Sequence, residues 1–402
     1  MRLKFTFISL LLLFSINSGA QNWEQKASYP GDGRHHPVTF SIDSVGYLLT
    51  GSTDTESVTD DFYEYDPVAD SWSSLPNFPG PARSFSYGAT ANGKAYMGFG
   101  ATTTTYLNDL WEYDPATGNW TELSACPCAG RTHPAFVIED QKIFVGLGNA
   151  PSNFRDWWEY NIVTDTWRQL TDLPGATRHH PFYFAAGGYV YAGFGHGASI
   201  YKDWYRWNID TETWDQMDDL PAQGRVAGTQ LNIGNRGFVL SGDGENHGTM
   251  PTGEFWEYDY QADTWVELPS HPGVSRWAPG SFAIGNTVYF TSGEVRSGNP
   301  DAGLKNDLWS FDLDAIASVE NSEELNAGIT VYPNPTEKSL TINGLNLSNA
   351  TSLEVYDSSG KVVKTGDLTS NSFDVSELNP GLYFLTIKES DEVVDRVKFM
   401  KK

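Results

Sequence analysis

Cysteine is nearly absent. The 402-residue chain has two, Cys126 and Cys128, on either side of Pro127. Two cysteines exclude a disulfide framework and leave either a pair of thiols or one local bridge in a single loop. No histidine or carboxylate stands at ligand spacing beside them, so they do not read as a metal site. Basic residues are also short, 26 Lys and Arg against 51 Asp and Glu, for a net charge of −25. A field of that sign repels nucleic acid and anionic membranes, and neither is expected as a partner. Helix patterns are scarce, with few Ala, Leu, Glu and Lys runs and no amphipathic stretch at helical spacing. No apolar run is long enough to span a bilayer, so stable membrane insertion is not expected. Gly-x-Ser-x-Gly, His-Glu-x-x-His and phosphate-loop motifs are all missing, so no catalytic residue and no cofactor is assigned.

What the chain has is aromatic residues, with 14 tryptophans among them, and a unit written six times. The unit places Pro seven residues after Trp, Arg eleven after Trp, and Gly seventeen after Arg. The tryptophans are Trp23, Trp72, Trp120, Trp167, Trp214 and Trp265. The prolines are Pro30, Pro79, Pro127, Pro174, Pro221 and Pro272. The arginines are Arg34, Arg83, Arg131, Arg178, Arg225 and Arg276, and the glycines Gly51, Gly100, Gly148, Gly195, Gly242 and Gly293. A period near fifty residues signals a repeat architecture. Each copy holds four short β-branched or aromatic runs bounded by turn formers, which predicts an all-β protein. In the third copy the runs are 131–138, 142–148, 156–160 and 166–170.

The ends of the repeat region complement each other. The first Trp opens a fourth strand with no first three before it, and the last copy has three strands and no closing Trp. The N-terminal strand should therefore complete the sheet of the last copy, which would remove exposed sheet edges. Asn108-Asp-Leu-Trp-Glu-Tyr-Asp114 and Asn306-Asp-Leu-Trp-Ser-Phe-Asp312, with the Arg, Gly and Trp positions, resemble the kelch family. The departure is Leu147, which stands where that family has the first glycine of a pair. The resemblance implies a six-bladed kelch-type β-propeller over residues 21–315, one repeat per blade.

Flanking segments read differently. Residues 1–20 look like a secretory signal peptide: Arg2 and Lys4, an apolar run from Phe5 to Ile16, and Ser18-Gly19-Ala20 before the cut. Residues 316–327 are polar and acidic and read as a linker. Residues 328–402 lose tryptophan and show seven short alternating runs, which predicts a small Ig-like β-sandwich. Val331-Tyr-Pro-Asn-Pro-Thr336, Leu378-Asn-Pro-Gly-Leu-Tyr-Phe-Leu385 and the terminal Val397-Lys-Phe-Met-Lys-Lys402 resemble the type IX secretion C-terminal sorting domain of Bacteroidetes. The motif positions are Pro333, Asn334, Pro335, Gly381, Lys398, Lys401 and Lys402. The resemblance implies export through the type IX machinery to the surface or the medium. It also implies removal of the domain by a sortase-like protease, with the cut in the linker.

Candidate binding residues follow from the strand order. The arginines enter the first strand of each blade, which lines the channel of a propeller, so Arg34, Arg83, Arg131, Arg178, Arg225 and Arg276 should ring its mouth. All length variation falls on that face: ten to sixteen residues separate the Gly from the aromatic of strand three, whereas nine separate that aromatic from the next Trp. Variable loops on a constant scaffold are where binding resides. Six acids, Asp61, Asp109, Asp156, Asp203, Glu254 and Asp307, accompany the arginines and offer them partners. His36, His133 and His180, two residues after their arginines, should project at one height. A three-His metal site there would need a channel narrow at that level, and no metal is assigned. Tyr106, Phe154, Tyr201 and Trp277 are candidates for stacking on sugars. The expectation is a secreted or surface binding module for a glycan, an anionic sugar or a protein. The alternative implied by the family is a sugar-modifying enzyme like the sialic-acid mutarotases, with an arginine on a carboxylate and Glu245 or a channel histidine as base.

Overall fold

The computed structural model describes residues 23–299, 301–314, 330–343, 351–357, 362–367, 371–379, 381–389 and 392–402. The expected signal peptide and linker lie outside the described residues. The chain divides into two compact units, the first ending at Asp312. Among the described residues no helix is long and apolar enough to cross a membrane.

The first unit contains six four-stranded antiparallel sheets. Their innermost strands are Val38–Ile42, Tyr87–Ala91, Ala135–Glu139, Phe182–Ala186, Thr229–Ile233 and Gly280–Ile284, and each touches the next, with the last touching the first. This closed cycle is a β-propeller. The sixth sheet is completed by Trp23–Lys26, which pairs with Leu308–Asp312, Trp23 opposite Phe311. The N-terminal strand therefore closes the ring as the repeat phase requires. Trp23 is buried, its ring packs on Phe255, Phe290 and Phe311, and its Nε1–H donates to the Pro269 carbonyl of the fifth sheet.

The second strand of each sheet is buried on both faces, which explains its run of aromatic and aliphatic residues; Lys142–Gly146 is an example. Outer strands are tied across sheets. Trp72, Trp167, Trp214 and Trp265 donate Nε1–H to carbonyls of Ala27, Ser124, Thr171 and Asp218 in the preceding sheet. The Trp120 Nε1 is buried without a partner.

Two predicted boundaries of the third copy shift by more than one residue. The third copy's first strand starts at Ala135 rather than 131, because Arg131 and its neighbours leave the ladder to bond the adjoining sheet. Its second strand stops at Gly146 because Leu147 and Gly148 both turn left-handed, with φ of 60° and 85°. The close turn persists without the first glycine. The equivalent residues Thr50, Phe99, Phe194, Ser241 and Ser292 all hold φ between 52° and 62°.

The second unit has two sheets. One carries Thr330–Tyr332, Ser339–Asn343 and Ser372–Asp374; the other Thr351–Asp357, Val362–Asp367, Gly381–Glu389 and Glu392–Lys401. All seven runs read from the sequence are strands. Leu340, Ile342, Leu353, Val355, Phe373, Leu385 and Phe399 form the apolar core. The separated motif pieces meet: Thr336 bridges Lys401 in parallel and its carbonyl accepts the Lys402 N–H. Pro333, Asn334 and Pro335 form the turn before Thr336, Gly381 opens a long strand, and Lys398 lies opposite Phe384.

Candidate functional site: the channel mouth and its loops

Each Arg sits just before an innermost strand, so the fold brings all six to one face. There they are buried, with 0 to 5% of each residue exposed. Arg34, Arg83, Arg131, Arg178 and Arg276 grip Asp61, Asp109, Asp156, Asp203 and Asp307 through both Nη groups. Nη1 of each also donates to the carbonyl of the left-handed residue before the repeat Gly: Thr50, Phe99, Leu147, Phe194 and Ser292. Their own carbonyls accept the Gly N–H of the preceding sheet. Gly51, Gly100, Gly148, Gly195 and Gly242 bond Arg83, Arg131, Arg178, Arg225 and Arg276, and Gly293 bonds Arg34. The last of these bonds runs from the sixth sheet to the first. The arginines' backbone groups thus hold sheets to one another, while their guanidinium groups are tied to acids of their own sheet and withdrawn from solvent. The expectation that they contact a ligand is corrected on that ground, in favour of the acid pairing also expected.

Electrostatics agree with the pairing. Burial alone would raise the carboxyls of Asp61 and Asp307, but the hydrogen bonds and charge of Arg34 and Arg276 hold both below the ordinary range. The fifth sheet departs from the pattern. Glu254 is one methylene longer than Asp and reaches Arg225 through a single bond, 2.6 Å. Arg225 keeps Nε and Nη1 buried without partners, and burial lowers its pKa.

The aromatics divide into two groups. Phe154 and Tyr201 lie over the guanidinium groups of Arg131 and Arg178 at 4.4 and 4.6 Å and belong to the arginine stack. Tyr106 is exposed, and Trp277 is half-buried beneath Arg296, 4.3 Å away.

Two residues after each arginine the backbone is left-handed again. His36, Phe85, His133, His180, Ala227 and Ala278 have φ between 50° and 63°. This conformation aims three imidazoles at the axis from the first, third and fourth sheets. The channel is narrow there. His36 and His180 face each other through Nε2 at 2.9 Å, and the His133 and His180 rings are 3.5 Å apart. Phe85 and Trp277 pack beside them, each 4.6 Å from the His36 ring. Beyond this plug the innermost strands enclose a cavity of about 210 Å³ lined by residues such as Ser41, Thr90, Gln230 and Asn232.

Sequence reasoning passed over the neighbours. His35 bonds His36 through the two Nδ1 atoms at 2.7 Å; His133 Nδ1 meets Asn149 Oδ1 at 3.1 Å; His179 Nδ1 meets Asn153 Oδ1 at 2.9 Å. His179, His196 and His247 continue the line outward, with ring separations of 5.1 and 4.4 Å. The doublets His35-His36 and His179-His180 were the visible signal. Burial pushes His35 and His179 down to about 4 and His133 to about 3, and holds His36 and His180 well below 6.5, so these rings are neutral at physiological pH.

The two longest loops, after the second strands of the fifth and sixth sheets, flank an open cleft of about 570 Å³ lined by His247, Gly248, Thr249, Arg296, Ser297, Gly298 and Asn299. Arg296 joins the loops, donating from Nε and Nη2 to Asp243 Oδ2 at 3.1 and 3.0 Å. Glu245, offered as a base, instead accepts the Gly224 N–H. In another loop Cys126 and Cys128 are bonded to each other.

The family model described as Attractin/LZTR1 beta-propeller matches residues 46–295, and the secretion system C-terminal sorting domain matches residues 330–402. No curated protein matches the chain.

Proposed function

The chain belongs to the Attractin/LZTR1 β-propeller family, and on that premise we propose that it is an extracellular binding module for a glycan, held in the cleft between the loops of the fifth and sixth sheets. Its sorting domain marks it for type IX secretion to the cell surface or beyond. The observation that carries the reading is the cleft itself. Its hydroxyl, amide and imidazole groups surround Arg296, which is fixed in place by Asp243 below and stacked on Trp277. A fixed planar donor among hydroxyls and amides suits neutral or singly charged sugars. The ring arginines, which the mutarotase-like alternative would place on a sugar carboxylate, are buried and paired with acids, which supports the binding reading at the cleft.

Glycan-array binding by the full chain tests the proposal. Arg296→Ala is expected to weaken binding at least about tenfold, the loss of one good charged hydrogen-bonding contact, and to lower the melting temperature because it leaves the buried Asp243 without its cation, so binding is compared at a temperature where both proteins are folded. A wild-type protein that captures no glycan, or an Arg296→Ala variant that binds as wild type does, would turn the reading toward a protein ligand.

A further inference from the structure

His36, His133 and His180 bring one ring nitrogen each to within 4.8 Å of one another, from three different sheets. As a purely structural cluster they are poorly satisfied. The 2.9 Å contact between His36 and His180 serves as one hydrogen bond between neutral rings. It leaves His133 Nε2 buried without a partner. Neither tautomer of His180 gives His133 Nε2 a donor. Buried unpaired nitrogens are uncommon enough to require an explanation, and an ion is one. The surroundings suit an ion as well. With His133 Nδ1–H donating to Asn149 Oδ1, the Nε2 lone pair is turned toward the cluster. This is the outer-sphere contact that orients metal-binding imidazoles.

We propose that His36, His133 and His180 bind one divalent transition ion of the zinc class at the channel mouth. Tetrahedral coordination with metal–nitrogen distances of about 2.0–2.1 Å places ligand nitrogens about 3.4 Å apart. The present spacing brackets that value, from 2.9 Å for one pair to at most 4.8 Å. Three neutral imidazoles, with no carboxylate or thiolate in the cluster among the described residues, favour zinc, copper or nickel over calcium or magnesium. Three protein ligands leave a fourth position for water or for a donor atom of a bound molecule. A row of imidazoles joins the buried centre to the surface: half-buried His179 and His196, then exposed His247. The left-handed backbone at these positions is shared with Phe85, Ala227 and Ala278 and belongs to the fold. The site does not rest on glycan binding, and the test is read without any glycan.

The experiment uses the full chain, stripped with a chelator and titrated with Zn²⁺ by calorimetry and with Co²⁺ by visible absorption. One ion per chain is expected, and X-ray absorption of the zinc-loaded protein should count three imidazole nitrogens. His133→Ala should weaken binding by at least about 100-fold, and Asn149→Ala by about 10- to 100-fold. His247→Ala should leave the affinity unchanged. Absence of a one-equivalent transition in the wild type would overturn the proposal. So would fewer than three imidazoles around the ion, or loss of binding in His247→Ala, which would move the site to the outer histidines. If the ligand variants fail to fold, the absorption measurement on the wild type still decides.

Discussion

Thr50 shows how a single residue carries the cost of the fold. It occupies the left-handed position ahead of Gly51, with φ of 57°, and its hydroxyl is buried without a partner. A β-branched side chain in that region costs about 1–2 kcal/mol, and an unsatisfied buried hydroxyl about 1–3 kcal/mol. Against these stand one buried methyl and the entropy of glycine, each about 1 kcal/mol. Thr50→Gly is therefore expected to stabilise the protein by about 1 kcal/mol, within the sum of those contributions, read as a rise in the denaturant midpoint at constant slope. A loss of stability would mean that the methyl packing outweighs the strain. The arginines teach the complementary lesson at this scale. Their recurrence in every copy, with an acid at strand three, was legible as a pairing pattern. Whether solvent could still reach the guanidinium groups was not, because burial depends on residues contributed by the neighbouring sheet. Arg225 and Glu254 show the sensitivity of the pattern: one extra methylene turns a two-pronged pair into a single bond.

At the scale of the element, the strand Trp23–Lys26 matters most. It is four residues long, yet it supplies the outer edge of the sixth sheet and the only covalent return of the ring to its start among the described residues. Its hold depends on Trp23, which is 7% exposed and donates to Pro269. Trp23→Ala is expected to cost about 3–5 kcal/mol, the range for truncating a buried Trp. Hydrogen exchange should then show Leu308–Asp312, its partner strand, opening before the other sheets. Uniform exchange across all sheets would contradict a closing role. The strand was readable in advance because the repeat phase alone demanded it: a fourth strand without its first three must complete another sheet. Strand boundaries were less readable. Residues 131–134 look like strand by composition, but Arg131 and His133 bond the preceding sheet and Thr132 makes only an isolated bridge to Asn149, so no ladder runs through them.

For the whole molecule, the buried imidazoles set the response to acid. His271 lies outside the channel cluster of histidines and is buried, with Nδ1–H donating to the Pro272 carbonyl and Nε2 beside Ser241 Oγ at 3.0 Å. Burial, helped by the charge of Arg276 and opposed by Asp307, lowers its pKa to about 3. Below pH 6.5 the unfolded chain takes up a proton that the native state refuses. Stability therefore falls as pH drops from 6.5 toward 3 and gains no further loss from this group below that. The expected measurement is a melting temperature that declines over this interval, with a shallower decline in His271→Gln whatever that variant's stability at pH 7. Equal slopes would show that His271 is not the group being titrated. The architecture behind this behaviour was written locally. Each repeat is one supersecondary unit, so its spacings had to recur within the unit, and the ring, the paired acids and the two-part chain could be read along the sequence. The meeting of His36, His133 and His180 could not. They come from the first, third and fourth sheets, and their distance depends on the channel radius. That radius follows from how closely the six sheets pack and how much space Phe85, Ala227, Ala278 and Trp277 occupy between them, a property of the closed ring that no single repeat contains.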